Sequence, residues 1–312
     1  MDPTTEPPPA VIQTAESLIA EAEQNESGIL TVRHGDAFFS VSVHGANLLS
    51  YRPSPKVGEV IWTGGYEPLP GKDCWGGIPI VWPWFMMGNG EKPQGPFHGP
   101  ARFATWKILD LNRTEAATEL RLGLPGPLES AAGQPISLEA ELRIRLADTL
   151  RLELITRNPS TQAQPLEHCL HAYFQVGDVT RVRIDGLQGS EVQDNREPGA
   201  PRATQFIPVT LDGPAARIYR PFPEEVTLED PVLRRRITLR SPEAAQLVLW
   251  NAGPIREENG HLTGEAEWRT QLALEPLRGL EEAITLAPGR EARLSLEIAA
   301  TPLEPTEAPL SE

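Results

Sequence analysis

Gly76-Gly77-Ile78-Pro79-Ile80-Val81-Trp82-Pro83-Trp84-Phe85, followed by Phe97-His98-Gly99-Pro100-Ala101-Arg102 and then Trp106, is a stretch that ordinary sheet-and-turn grammar explains only in part. The glycine pair suits a backbone that must turn tightly or approach another group closely. Two prolines interleaved with Trp82 and Trp84 cannot donate to a ladder, which argues against a central strand. What is left is a rigid aromatic loop, a glycine-rich excursion from Met87 to Gly95, and a His and an Arg just after it. Aromatic walls beside a few polar side chains are what a sugar-sized ligand needs.

Outward from this stretch, the chain reads as short apolar-alternating runs closed by Gly, Pro, Asn and Asp. Before it come 30–33, 37–43 and 60–62. After it come 106–111, 118–124, 136–146, 150–157, 166–176, 181–187, 225–228, 234–240, 246–251, 271–277 and 292–299. No long βαβ alternation and no fixed-period repeat is visible, so an antiparallel sandwich or barrel is expected rather than a parallel sheet. The 32 prolines, spread along 312 residues, fit short strands with many turns. At the N-terminus, 1–9 is Pro-rich and acidic, and is expected to be disordered. Val11, Ile12, Ala15, Leu18, Ile19 and Ala22 fall near helical spacing, which predicts one short N-terminal helix. The expected organisation is a tail and helix over 1–28, a single all-β domain over 29–301, and a disordered Pro/Glu-rich tail over 302–312.

A hydrophobic content of 39% suffices for a sizeable core. The net charge of −15 makes nucleic acid or an anionic membrane an unsuitable partner. It also does nothing to draw in a phosphorylated ligand. Cys74 and Cys169 make neither a disulfide framework nor a four-ligand metal site and read as two reduced thiols. With no basic-then-apolar leader and no apolar run of spanning length, a soluble, cytoplasmic monomer is the expectation. Arg234-Arg235-Arg236 reads as a solvated strand edge.

Two strands carry titratable groups on one face. In Leu170-His171-Ala172-Tyr173-Phe174-Gln175, alternation sends Leu170, Ala172 and Phe174 one way and His171, Tyr173 and Gln175 the other, with His168 opposite His171. In Gln271-Leu272-Ala273-Leu274-Glu275, Leu272 and Leu274 face the core and Glu275 shares the other face. On periodicity alone, His171 is either functional or merely hydrogen-bonded inside a sandwich, and Glu275 is either functional or a solvated strand end. His98 and Arg102 could equally be a turn-stabilising pair.

The chain resembles the aldose 1-epimerase superfamily over roughly residues 29–300, in particular its hexose-6-phosphate mutarotase branch (glucose-6-phosphate 1-epimerase-like proteins). The branch carries a Gly-Gly-Ile-Pro…Trp-Pro-Trp-Phe run and a His-Gly-Phe-Ala-Arg motif, here His98-Gly99-Pro100-Ala101-Arg102 with Pro100 in place of Phe. It also carries Leu-His-Thr-Tyr-Phe-x-Val-x-Asp, here Leu170 to Asp178 with Ala172 in place of Thr, a Val-Val-Trp-Asn strand matching 248–251, and a Val-Cys-Val-Glu run ending at Glu275. The resemblance implies a galactose-mutarotase-like β-supersandwich that interconverts the α and β anomers of an aldose or hexose 6-phosphate. His171 and Glu275 would be acid and base, with His171 held protonated. His98, Arg102, Trp75, Phe97 and Asp178 would bind substrate, and no cofactor or metal would be needed.

Three departures from the branch stand out: Trp75 replaces an Arg before the glycine pair, Phe97 replaces a Gln before His98, and Ala216 replaces an acid before Arg217. Trp75 and Phe97 would offer stacking surface to a sugar ring, where an Arg would have offered a phosphate clamp. The alternatives are a non-catalytic carbohydrate-binding or sensing protein on the same fold, and a sandwich whose aromatic loop is an interface patch.

Overall fold

The structure, a computed structural model, describes residues 27–65, 68–72, 75–88, 95–197, 199–254, 256–258, 261–263 and 265–304. The helix expected near the N-terminus, Cys74, and most of both the glycine-rich excursion and the C-terminal tail lie outside these residues.

Two eight-stranded antiparallel sheets dominate. The first runs Ala203–Thr204, Glu191–Asp194, Ala215–Arg220, Gln246–Asn251, Gln271–Arg278, His168–Leu170, Ile80–Val81, with Tyr173–Gln175 also paired to Gln271–Arg278. The second runs Arg183–Asp185, Val226–Asp230, Arg235–Arg240, Glu291–Pro302, Leu150–Arg157, Glu139–Leu146, Thr118–Gly123, Lys107–Arg113. A three-stranded sheet, Ile29–His34, Ala37–Ser42 and Leu48–Arg52, adds Phe39, Val41, Leu48 and Tyr51 to the same core. Among the described residues, one α-helix is present, Glu265–Thr270.

Alternation explains how the two large sheets meet. Leu247, Leu249, Leu272 and Leu274 of the first sheet share one buried cluster with Leu152, Leu154, Leu294 and Leu296 of the second. The opposite face of the first sheet presents Ile218, Val248, Ala273 and Glu275. Gln271–Arg278 is therefore buried along nearly its whole length, by the core on one side and by the aromatic loop on the other.

The structure departs from the sequence-based expectations at definable places. The run 166–176 is broken into Gln164–Leu166, His168–Leu170 and Tyr173–Gln175, because the chain bends at His171 and Ala172. Leu48–Arg52, Glu191–Asp194 and Ala215–Arg220 are strands that local pattern did not single out. Arg235 is not a solvated edge residue. It is 1% exposed, and its guanidinium donates to the carbonyl oxygens of Val57 (3.0 Å), Glu59 and Gln175 (2.5 Å), tying three backbone segments together.

Candidate active site

Gly76 to Pro79 brace the strand segments that carry His171. Gly77 accepts a hydrogen bond from Tyr173 N–H (2.9 Å) while its own N–H donates to Trp62 O (2.8 Å), and His171 N–H donates to Pro79 O (3.2 Å). Gly77 has φ +81°, and a Cβ there would lie 2.3 Å from Asn47 Oδ1, so glycine is required both for conformation and for space. At the bend, Ala172 N–H donates to Leu170 O (2.9 Å), a three-residue turn centred on His171.

That turn does not disturb the register. Cys169 pairs with Leu277 before the bend and Tyr173 with Ala273 after it, so His171 stands directly across from Glu275. The His171 Nε2 to Glu275 Oε1 distance is 3.3 Å. Cys169, on the same face, donates its thiol to Glu275 Oε2 at 3.8 Å. Glu275 is 1% exposed and His171 9% exposed, so both belong to the interior of the molecule and not to its solvated surface.

His98 enters from the loop after Trp82. Its backbone has φ +65°, its N–H donates to Met86 O (2.7 Å), and Met86 N–H donates to His98 Nδ1 (3.0 Å), which leaves Nε2 to carry the proton. Gly99, with φ +81°, lets this turn pass against Trp82, whose carbonyl oxygen a Cβ would meet at 1.9 Å. Phe97 and Phe85 flank the His98 ring, with centroids at 4.0 and 4.9 Å, and the ring meets His171 edge-on at 5.6 Å. Tyr173 stacks on His171 at 4.7 Å. Beyond it, Trp75 and Trp250 meet edge-on at 5.5 Å.

Together these side chains wall a cavity of about 190 Å³. Of the expected site residues, His171, Glu275, His98, Arg102, Trp75 and Phe97 all line it. Asp178 does not: its carboxylate accepts from Thr180 N–H (3.0 Å) and Oγ1 (2.7 Å), which hold it below the usual carboxylate range, and Arg269 lies 3.6 Å away. Trp82 and Trp84 are also absent from the lining. Trp82 lies in the core and donates to Thr156 Oγ1 (3.0 Å), while Trp84 donates to Pro96 O (3.0 Å). The aromatic walls come instead from Trp75, Phe85, Phe97, Tyr173 and Trp250.

Trp250, Ile218, Val248 and Asn195 were not anticipated as lining residues. The strand alternation that exposes Ala273 and Glu275 also implicates Val248 and Trp250, once it is known that Val248 pairs with Glu275 and Trp250 with Ala273. Asn195 follows the strand Glu191–Asp194 and carries no local signal.

Burial, with the Arg102 charge as the second cause, pushes His171 down to about 3. The same burial, with His171 and Arg102 contributing, pushes His98 well below its ordinary value. Burial and Arg102 thus both disfavour the charged form of His171 that the sequence reading expects, while the adjacent Glu275 carboxylate favours it. Burial, followed by the negative charge of Glu275, raises the Cys169 thiol far above its ordinary value, so it stays a protonated donor. Among the described residues there is no group of three His, Cys, Asp or Glu side chains that could hold a metal ion.

The fold and the site are those of an antiparallel β-sandwich protein with a buried imidazole–carboxylate pair in an aromatic-walled cavity. The family model described as Aldose 1-epimerase matches residues 28–299, and the chain belongs to that family. It is 26% identical over 248 residues to a protein of Escherichia coli (strain K12) named "Putative glucose-6-phosphate 1-epimerase", covering 78% of this chain and 81% of that one. A protein of the same name from Cenchrus ciliaris is 29% identical over 244 residues, 75% and 72% of the two chains. Among solved structures, a crystal structure from Salmonella typhimurium titled "a putative mutarotase" superposes with a TM-score of 0.77 at 24% identity, over 88% of this chain and 90% of that one. The likeness to that structure bears on the fold alone.

Proposed function

We propose that this protein is a 1-epimerase that interconverts the α and β anomers of an aldose or hexose 6-phosphate by acid–base ring opening. The observation that carries the reading is the 3.3 Å approach of His171 Nε2 to Glu275 Oε1 inside an aromatic-walled cavity. Glu275 takes the proton of the C1 hydroxyl while His171 gives a proton to the ring oxygen. The C1–O5 bond breaks with its electron pair going to O5, and a carbonyl forms at C1. Rotation about C1–C2 presents the other carbonyl face, and the reverse transfers return each proton to its donor.

The acid step needs His171 in its charged form. The neighbouring Glu275 carboxylate favours that form, whereas burial and Arg102 oppose it. Glu275 and burial thus act on the His171 proton in opposite directions, and the proton moves between Glu275, substrate and His171 during the reaction. His98, with its proton on Nε2, supplies a further donor to the sugar hydroxyls, and Cys169 steadies the second carboxylate oxygen of Glu275.

A protein that only bound sugar would keep the stacking walls and could use the pair to hold sugar hydroxyls. The two readings separate in an anomer-exchange assay by proton NMR on glucose, galactose and glucose 6-phosphate. Exchange above the spontaneous rate that disappears in His171→Ala supports the epimerase, and equal rates in wild type and variant support the binding protein.

A further inference from the structure

We infer that the sugar taken by this cavity is uncharged at the end away from C1, an aldose and not a sugar phosphate, and that Trp75 sets this choice. The inference rests on the proposed reading of the cavity as an anomer-exchange site.

A phosphate monoester carries about −1.5 to −2 charges at neutral pH, and its capture takes arginine forks, lysines or converging backbone N–H groups. Among the described residues that line the cavity, Arg102 is the one cation. It sits at the reacting end. Its charge is felt by His171, by His98 and by Cys169, and Cys169 in turn touches Glu275. A phosphate held by Arg102 would therefore compete for the part of the cavity where His171 and Glu275 are proposed to act on C1.

Among the described residues, the other end offers no substitute. Trp75, 8% exposed, packs edge-on to Trp250 at 5.5 Å and lies 6.1 Å from Tyr173, while Ala216 and Ile218 complete that side with Asn195 as the polar group. Arginines on the neighbouring strands are engaged elsewhere. Arg202 meets Glu191 (3.0 Å) and Glu281 (2.5 Å), and Arg220 meets Gln193 (3.3 Å) and Glu281 (3.9 Å). Arg217 lies 3.8 Å from Asp194 and alternates away from Ala216 and Ile218. Desolvating a dianion against indole rings without a paired cation is costly, whereas the C–H face of a pyranose gains from the same contact. The net charge of −15 adds repulsion toward an anion and none toward a neutral sugar.

The test pairs binding with exchange. Wild type is titrated calorimetrically with D-glucose, D-galactose and D-glucose 6-phosphate, and the same three sugars are followed by anomer exchange in wild type, Trp75→Arg and His171→Ala. The expected result is binding of at least one neutral sugar, and a kcat/KM for it about tenfold or more above that for glucose 6-phosphate. Trp75→Arg, if its thermal melt remains cooperative, shifts that ratio toward the phosphate by a similar factor. Tighter binding or faster exchange of glucose 6-phosphate in wild type overturns the inference, as does binding of none of the three. Binding of a neutral sugar without His171-dependent exchange would refute the epimerase reading while leaving the choice of an uncharged sugar standing.

Discussion

His171 and Glu275 are cross-strand neighbours in a register that the sheet keeps on both sides of a break. Cys169–Leu277 and Tyr173–Ala273 flank them, and the strand carrying His171 leaves the ladder for two residues between these pairs. At the break His171 N–H donates to Pro79 O (3.2 Å), Ala172 O still accepts from Leu274 N–H (3.0 Å), and His171 Nε2 lies 3.3 Å from Glu275 Oε1. A functional group held by strands on both sides is placed more exactly than one on a free loop.

The pH dependence of exchange follows from the resting state. Because His171 is pushed down to about 3 by burial and Arg102, the charged imidazole becomes more populated as pH falls. Catalysed kcat/KM, after subtraction of the spontaneous rate, is expected to rise from pH 8 to pH 5. A flat or falling profile over that range would mean that His171 does not need to gain a proton.

Stability should move the opposite way. His171 and His168 are pushed down to about 3, and His98 is lowered too, in every case with burial as the leading cause. An unfolded imidazole titrates near about 6.5. Below that value the unfolded chain therefore binds more protons than the folded one, so stability is present in full above about 6.5 and is lost as pH falls toward about 3. Neither ring nitrogen of His168 has a hydrogen-bond partner. His168→Leu should fold and should flatten the fall in urea midpoint between pH 7 and pH 5, and an unchanged slope would show that His168 plays no part in it.

Gly99 is the position where a single methyl should do most damage to the site. A Cβ there would meet Trp82 O at 1.9 Å, at φ +81°. Gly99→Ala should cost more than about 1 kcal/mol in chemical denaturation and should lower exchange beyond what the unfolded fraction explains, since His98 is its neighbour. A variant with wild-type stability would contradict the close approach.

Cys169 should be inert in the folded protein. It is fully buried, and its thiol is raised by burial and by Glu275. Iodoacetamide should modify the peptide containing Cys169 only after denaturant is added, as read by mass spectrometry. Cys169→Ala should retain the fold but lower kcat more than it changes KM, because it removes a donor to Glu275 and does not itself line the cavity. Equal loss in both would point to general damage instead.

Much of this was legible in two short strands. The alternation of Leu170, Ala172 and Phe174 against His171 and Tyr173, and of Leu272 and Leu274 against Ala273 and Glu275, identifies which face carries chemistry, because side chains in strands have a period of two. The Gly76-Gly77 pair and the His98–Arg102 segment likewise reveal close approach and polar groups near an aromatic loop. Local pattern could not say that Trp82 would enter the core while Trp75 lined the cavity, since two aromatic rings in one loop obey no fixed period. Nor could it find Trp250 and Asn195, whose place depends on pairing between strands distant in sequence. Asp178 was misread for a related reason: a turn that closes on Thr180 consumes the carboxylate that the motif seemed to offer, and only the fold reveals it.

The central claim is that His171 and Glu275 act as one acid–base unit, and a four-protein set measures it most directly. Wild type, His171→Ala, Glu275→Gln and the double variant are compared at equal concentration for anomer exchange of one responding sugar, with circular dichroism confirming the fold. The prediction is a loss of about 10²–10⁴-fold in each single variant, with the double variant hardly worse than either. A wild-type rate retained by either single variant, or losses that simply multiply in the double variant, would contradict the account.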